Sequence, residues 1–237
     1  RLANLDPSIA RQCNIWLGDC YYTRGNYDEA VHSYLRYINA SPSSAVSDLA
    51  LAHYDLGYTR FAQEKYSEAI TDFQNAVKLL STGRTSHPAS LEADSYSRIA
   101  DCRYYLGEYS AAADDYKKAY DLNPSSGDYA LYQYAIMQGL LKDHSGKIST
   151  IDNLTSRFPS SGLIPQALLE KAESQSATGN TSAAIRTYND LVSRYPSTAP
   201  GRYGYLQLAI TYINSGERSK GIDTYKTVIR TFPSSEE

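Results

Sequence analysis

The sequence predicts an all-α fold of stacked helix–turn–helix units, and three observations carry that prediction. Prolines at 42, 124, 159, 196 and 233 each close a stretch whose apolar residues fall at helical spacing, as in AVHSYLRYINASP (30–42). Small and large residues recur in register along the chain. The joint SRFPSS (156–161) returns as SRYPST (193–198) and as RTFPSS (230–235), an interval of 37 residues. A fixed period of that length marks a repeat array, in which each unit buries its apolar face only against its neighbours.

Each element follows from its residues. Proline cannot continue a helix, and the residue before it avoids the helical region. The serines after it are good N-caps, so FPSS reads as the end of one helix and the start of the next. RGNYDEA (24–30), QEKYSEA (63–69) and LGEYSAA (106–112) mark a shorter turn inside each unit. Gly18, Gly57, Ala100, Ala135, Ala172 and Ala209 fall near the middle of each first helix. Twelve residues later come Ala30, Ala69, Ala112, Lys147, Ala184 and Gly221; four further on come Tyr34, Phe73, Tyr116, Ile151, Tyr188 and Tyr225. The small residues let two helices approach closely and the large one plugs the space between them. Six repeats result, at 11–44, 50–83, 93–126, 128–161, 165–198 and 202–235, grouped as 11–126 and 127–237.

Two places break the pattern. Lys147 stands where a small residue belongs, so the fourth pair of helices is expected to splay or shift. TGRTSHPAS (82–90) lengthens the joint before the third repeat. Both are expected to change the curvature of the array. RLANLDPS (1–8) reads as the last turn of a preceding repeat, with 1–10 assigned to that repeat, and FPSSEE (232–237) as a joint with nothing after it. The chain is therefore expected to be a section of a longer protein, with uncapped ends able to self-associate.

Composition removes several function classes. The 237 residues are 42% hydrophobic and 21% charged, with net charge −3. Residues 1–126 hold 12 basic and 16 acidic side chains, and 127–237 hold 11 and 10. Neither part has the basic excess that nucleic acid requires. No apolar run approaches the roughly 20 residues that span a bilayer. Cys13 and Cys20 on one helix would stand about 10 Å apart, beyond disulfide reach, so the three cysteines are expected to be reduced. His32, His53, His87 and His144 are scattered without metal-ligand spacing. No Walker loop, dinucleotide fingerprint or nucleophile elbow occurs. The sequons at Asn39, Asn153 and Asn180 read as chance matches in an Asn- and Ser-rich chain. No catalytic residue, cofactor or metal is expected. The unusual count is tyrosine, 23 against 4 Phe and 1 Trp.

NIWLGDCYYTRGNYDEAVHSYLRYINASP (14–42), with Leu17-Gly18, Tyr21, Ala30, Tyr34 and Pro42, resembles the tetratricopeptide repeat. HYDLGYTRFAQEKYSEAITDFQNAVKLLS (53–81) matches at Leu56-Gly57, Ala69, Phe73 and Ala76, with Ser81 in place of the proline. The resemblance implies a right-handed α/α superhelix whose first helices line a concave, ligand-bearing face. Carried over position by position, that face holds Asp19, Tyr22, Tyr54, Tyr58, Phe61, Asp101, Tyr104, Tyr105, Tyr129, Tyr132, Glu173, Tyr203 and Asn214. An aromatic strip with acidic spots suits an extended peptide or a protein segment, neutral to basic. Family members that clamp chaperone carboxylates use Lys, Arg and Asn on this face, where this chain shows Asp19, Asp101 and tyrosines, so such a clamp is not expected. The expected role is thus a non-enzymatic interaction scaffold. A spacer or oligomerisation segment, and a glycan-binding platform of stacked tyrosines, are the alternatives. The SRFPSS-type joints are similar to those of bacterial outer-membrane-assembly lipoproteins and Tol–Pal accessory proteins, which implies a periplasmic or envelope location, with the cytoplasm as the alternative.

Overall fold

The computed structural model describes residues 6–82 and 89–232, and the chain divides into two compact units, 1–127 and 128–237. The first unit holds α1 (Pro7–Thr23), α2 (Tyr27–Ala40), α3 (Val46–Ala62), α4 (Tyr66–Leu80), α5 (Ala89–Tyr105) and α6 (Tyr109–Leu122). The second holds α7 (Asp128–Leu140), α8 (His144–Arg157), α9 (Ile164–Ala177), α10 (Thr181–Arg194), α11 (Ala199–Asn214) and α12 (Arg218–Thr231). Among the described residues every element is a helix, as expected. Within each unit successive helices pack on one another, so each unit is three stacked hairpins. α1 starts at Pro7, so residues 7–10, read above as the tail of a preceding repeat, are its first turn. Residues 1–5, most of the 82–90 joint with His87, and the joint from Pro233 onward lie outside the described residues.

The small-against-large rule is visible atom by atom. A Cβ added at Gly18 would come within 2.5 Å of the Tyr34 ring, and one at Gly57 within 2.8 Å of the Phe73 ring. Tyr34, Phe73, Tyr116, Ile151 and Tyr188 are all at most 2% exposed. Ala30, Ala69, Ala112 and Ala184 are fully buried at the matching positions of the second helices. Lys147 takes that place in the fourth pair, and it is buried too. Its stem fills the space beside Gly139, where a Cβ would meet it at 2.9 Å, and its ammonium pairs with Glu170 of α9. Glycine thus makes room for the long stem that the sequence pattern flagged.

The turn inside each hairpin recurs at one register position. Seven residues after the small residue stands a left-handed residue: Gly25, Glu64, Gly107, Lys142, Gly179 and Gly216, with φ between 60° and 88°. Glycine adopts this conformation without strain; Glu64 and Lys142 adopt it at a cost of roughly 1 kcal/mol each.

The proline joints stop helices as expected. Asn123, Phe158 and Tyr195 each close a helix just before a proline, with φ of −139°, −124° and −131°. The serine N-caps need correction. Thr198 caps its helix from a proline joint, accepting from Gly201 N–H at 3.1 Å. Ala45 and Leu163 occupy the N-cap positions of α3 and α9 without a side-chain bond. Ser161 instead donates to Asp128 at 2.7 Å and accepts from Leu163 N–H. That ties the joint back to the start of α7, a tertiary use the local sequence does not reveal.

Candidate functional site

A cleft of about 340 Å³ opens in the first unit between α1, α2 and α3. Its lining is Asp19, Tyr22, Tyr34, Tyr54, Asp55 and Tyr58. Four of the residues expected on the ligand-bearing face are therefore brought together. Helical spacing explains the grouping: Asp19 and Tyr22 lie three apart on α1, and Tyr54 and Tyr58 four apart on α3, so each pair shares a helix face.

The cleft is held by hydrogen bonds that cross between helices. Tyr34, seated on Gly18, donates its hydroxyl to Asp19 Oδ1 at 2.7 Å. Tyr54 and Tyr58 donate to the same oxygen of Asp94 on α5, at 2.6 and 3.0 Å. Their rings meet edge to face at 4.9 Å, and both stand edge-on to Phe73. Burial raises the Tyr34 and Tyr54 hydroxyls well above the usual phenol value, and their carboxylate partners push the same way. Burial also lifts Tyr58 to about 12, opposed by its bond with Tyr54 and by the positive charge of Arg98. All three are neutral donors at physiological pH, which leaves their oxygens able to accept. Asp55 is the unusual group. Burial first, and the charge of Asp19 second, push its carboxyl up to about 7.

The other expected residues of the first unit do different work. Asp101 is buried, and its carboxylate accepts from Tyr116 and pairs with Arg98, both at 2.5 Å. It is a strut between α5 and α6 and not an exposed acidic spot. Phe61 stands edge-on to Tyr66 and Tyr105, while Tyr66 and Tyr105 stack at 4.8 Å with an interplanar angle of 5°. Tyr105 is 57% exposed and Tyr104, packed against it, 41%, so this ring cluster faces solvent. In the second unit Tyr132 is buried and Tyr129 half-buried. Burial raises both the Tyr132 hydroxyl and the Glu173 carboxyl, and neighbouring Glu170 adds to each shift. Tyr203 is 41% exposed, and Asn214 is exposed at the end of α11. The second unit thus splits its expected residues between core and surface.

Three residues of the cleft and its rim escaped the sequence reading: Tyr34, Asp55 and Asp94. Its repeat position marks Tyr34 as mainly a packing residue, yet one side of it plugs the hairpin and the other lines the cleft. Asp55 carries no sequence signal beyond its place next to Tyr54. Asp94 lies 40 residues from Tyr54, roughly one repeat, and that spacing was the available clue. Among the described residues no group of His, Cys, Asp or Glu is arranged to hold a metal. The three cysteines are unpaired thiols, and burial pushes that of Cys102 up to about 12. No described helix is long and apolar enough to cross a membrane.

Tetratricopeptide-repeat family models match residues 7–45, 48–125, 166–198 and 203–235. The chain is a tetratricopeptide-repeat protein. Solved structures share the repeat fold. The C-terminal part of a TPR repeat-containing protein from Cytophaga hutchinsonii superposes with a TM-score of 0.78 at 17% identity, over 99% of this chain and 86% of that one. A tetratricopeptide repeat protein from Parabacteroides merdae gives 0.69 at 20%, over 96% and 80%. YrrB, described as a TPR protein with an unusual peptide-binding site, gives 0.62 at 16%, over 80% and 89%. Comparison with curated proteins gives no match. Each of the matching family models is a tetratricopeptide-repeat model.

Proposed function

We propose that this tetratricopeptide-repeat protein captures an extended peptide or protein segment on the first unit, at the cleft between α1, α2 and α3. The observation that carries the reading is the lining itself. Tyr22, Tyr34, Tyr54 and Tyr58 converge on one opening, two of them fixed by Asp94 from below. Tyrosines held this way present large apolar bodies and polar tips with little rotamer freedom left to lose on binding. The acidic lining favours a neutral to basic partner. The adjoining exposed rings of Tyr104 and Tyr105 offer a second patch on the same unit. The printed description of YrrB as peptide-binding supports the class of partner. The SRFPSS-type joints support an envelope location.

The test is a random-peptide display selection on the 237-residue chain and on a Tyr22→Ser, Tyr58→Ser variant with matched helicity. Tyr22 and Tyr58 are half-buried, so the variant keeps the plugs Tyr34 and Phe73. Peptides enriched on the parent chain and lost on the variant are expected. Enrichment that the variant retains places binding elsewhere and sinks the reading.

A further inference from the structure

We infer that the cleft between α1, α2 and α3 is an arginine pocket: it takes the guanidinium side chain of the bound partner. The inference rests on the peptide-capture reading and names the chemistry that the cleft selects.

The argument begins with charge. The cleft carries two carboxylates, Asp19 from α1 and Asp55 from α3, and among the described residues no cation pairs with either. Asp19 uses one oxygen to accept from Tyr34. The groups facing the cleft from the surrounding elements are Tyr22 on α1, Tyr34 on α2, Tyr54 and Tyr58 on α3, and Asp94 with Arg98 from α5. Arg98 is the nearby cation, but it pairs with Asp94 at 3.5 Å and Asp101 at 2.5 Å, and lies 6.0 Å from the Tyr58 ring centre. Two acids left facing one another in a partly buried site repel each other, and a cation between them relieves that repulsion. Burial raises the Asp55 carboxyl, and the nearby charge of Asp19 adds to the shift.

Shape and donor count then choose the cation. A guanidinium is flat, is weakly hydrated, and brings five N–H donors that need acceptors. The cleft offers walls of tyrosine rings for stacking. It also offers acceptors at several angles: the Asp55 carboxylate, the second oxygen of Asp19, and the hydroxyl oxygens of Tyr54 and Tyr58, whose protons already go to Asp94. A compact ammonium has three donors and cannot lie flat on the rings in the same way.

The test titrates the 237-residue chain with N-acetyl-arginine amide, whose ends carry no charge, and follows backbone amide resonances. Saturable shifts are expected at Asp19, Tyr22, Tyr54, Asp55 and Tyr58. N-acetyl-citrulline amide keeps the shape and loses the charge; it should bind at least about tenfold more weakly. N-acetyl-lysine amide should fall between. Asp55→Asn is isosteric and should weaken the arginine probe by a similar factor while leaving the fold unchanged. Binding should tighten as pH rises through about 7, where Asp55 ionises. No saturable shift, equal binding of citrulline, shifts confined to other helices, or an Asp55→Asn variant that binds as the parent does would each overturn the inference. The display selection separates the two levels. Peptides lost on the tyrosine variant but indifferent to citrulline in place of arginine would leave peptide capture standing and end the arginine pocket. Peptides retained on that variant would end peptide capture itself.

Discussion

The two units answer the same structural question with different chemistry. In four hairpins, α3–α4, α5–α6, α7–α8 and α9–α10, the side chain three residues after the small residue of the first helix reaches across to the second helix. In the first unit the pair is ionic: Arg60 to Asp72 at 2.7 Å, and Arg103 to Asp115 at 2.5 Å. In the second unit the pair is neutral: Thr150 donates to Gln138, and Thr187 to Gln175, each at 2.7 Å. Each pair spans twelve residues of sequence. The bridge therefore recurs at one register position in these four hairpins, while its charge differs between the two units. The first unit carries buried charge that depends on partners and pH; the second obtains the same crossing with groups that do not ionise.

The largest effect should come from breaking one ionic bridge. Asp72 is 4% exposed, and Asp72→Ala strands the Arg60 guanidinium, which keeps only Glu68 at 3.4 Å. A loss of about 2–3 kcal/mol is expected, less than for a fully buried pair because Arg60 retains some solvent. Residue-resolved hydrogen exchange should show it in α3 and α4 and leave α9 and α10 unchanged. Protection falling equally in both units would break the comparison.

A neutral bridge should matter less. Thr150→Val leaves the Gln138 carboxamide oxygen without its donor, at a cost of about 1–2 kcal/mol. Urea titration followed by exchange in α7 and α8 measures it. A loss as large as that of Asp72→Ala would mean that the charge contributes nothing distinctive.

Exchanging the chemistry should cost least. Arg103→Gln with Asp115→Thr writes the second unit's bridge into the first, and the change should stay within about 1 kcal/mol at neutral pH. Its signature lies in pH dependence. Burial lifts Asp115 from 3.8 to about 6 against the opposing pull of Arg103. A group raised on folding stabilises fully below its unfolded value, and that stability drains as pH climbs through its folded value. The parent should thus lose stability in α5 and α6 between about pH 4 and 6, and the exchanged variant should lose less. An unaltered pH profile would remove Asp115 as its source.

Most of the fold was legible in the sequence because helix, turn and plug are local and periodic. Gly18 under Tyr34 and Gly57 under Phe73 follow from counting alone. The N-caps were not legible, because Ser161 is claimed by Asp128 from 33 residues away. The site was half legible for the same reason. Asp19, Tyr22, Tyr54 and Tyr58 share helix faces that spacing reveals. Which carboxylates are engaged by a hydroxyl or an arginine depends on the neighbouring helix. Asp101 and Asp19 hold equivalent places and both accept from a tyrosine, yet Arg98 is added to Asp101 alone.

The recurrent left-handed residue also fixes where the chain tolerates a change in length. From the small residue to that turn is seven positions in all six hairpins, and to the plug it is sixteen. From a plug to the next small residue the interval is 23, 27, 19, 21 and 21. One residue inserted between Gly57 and Glu64 would rotate everything beyond it by about 100° and turn Phe73 away from its seat. The same residue inserted between hairpins joins a stretch whose length already varies by eight across the chain. Tags, labels and grafted loops therefore belong in the long joints, and the short turns should be left at their present count.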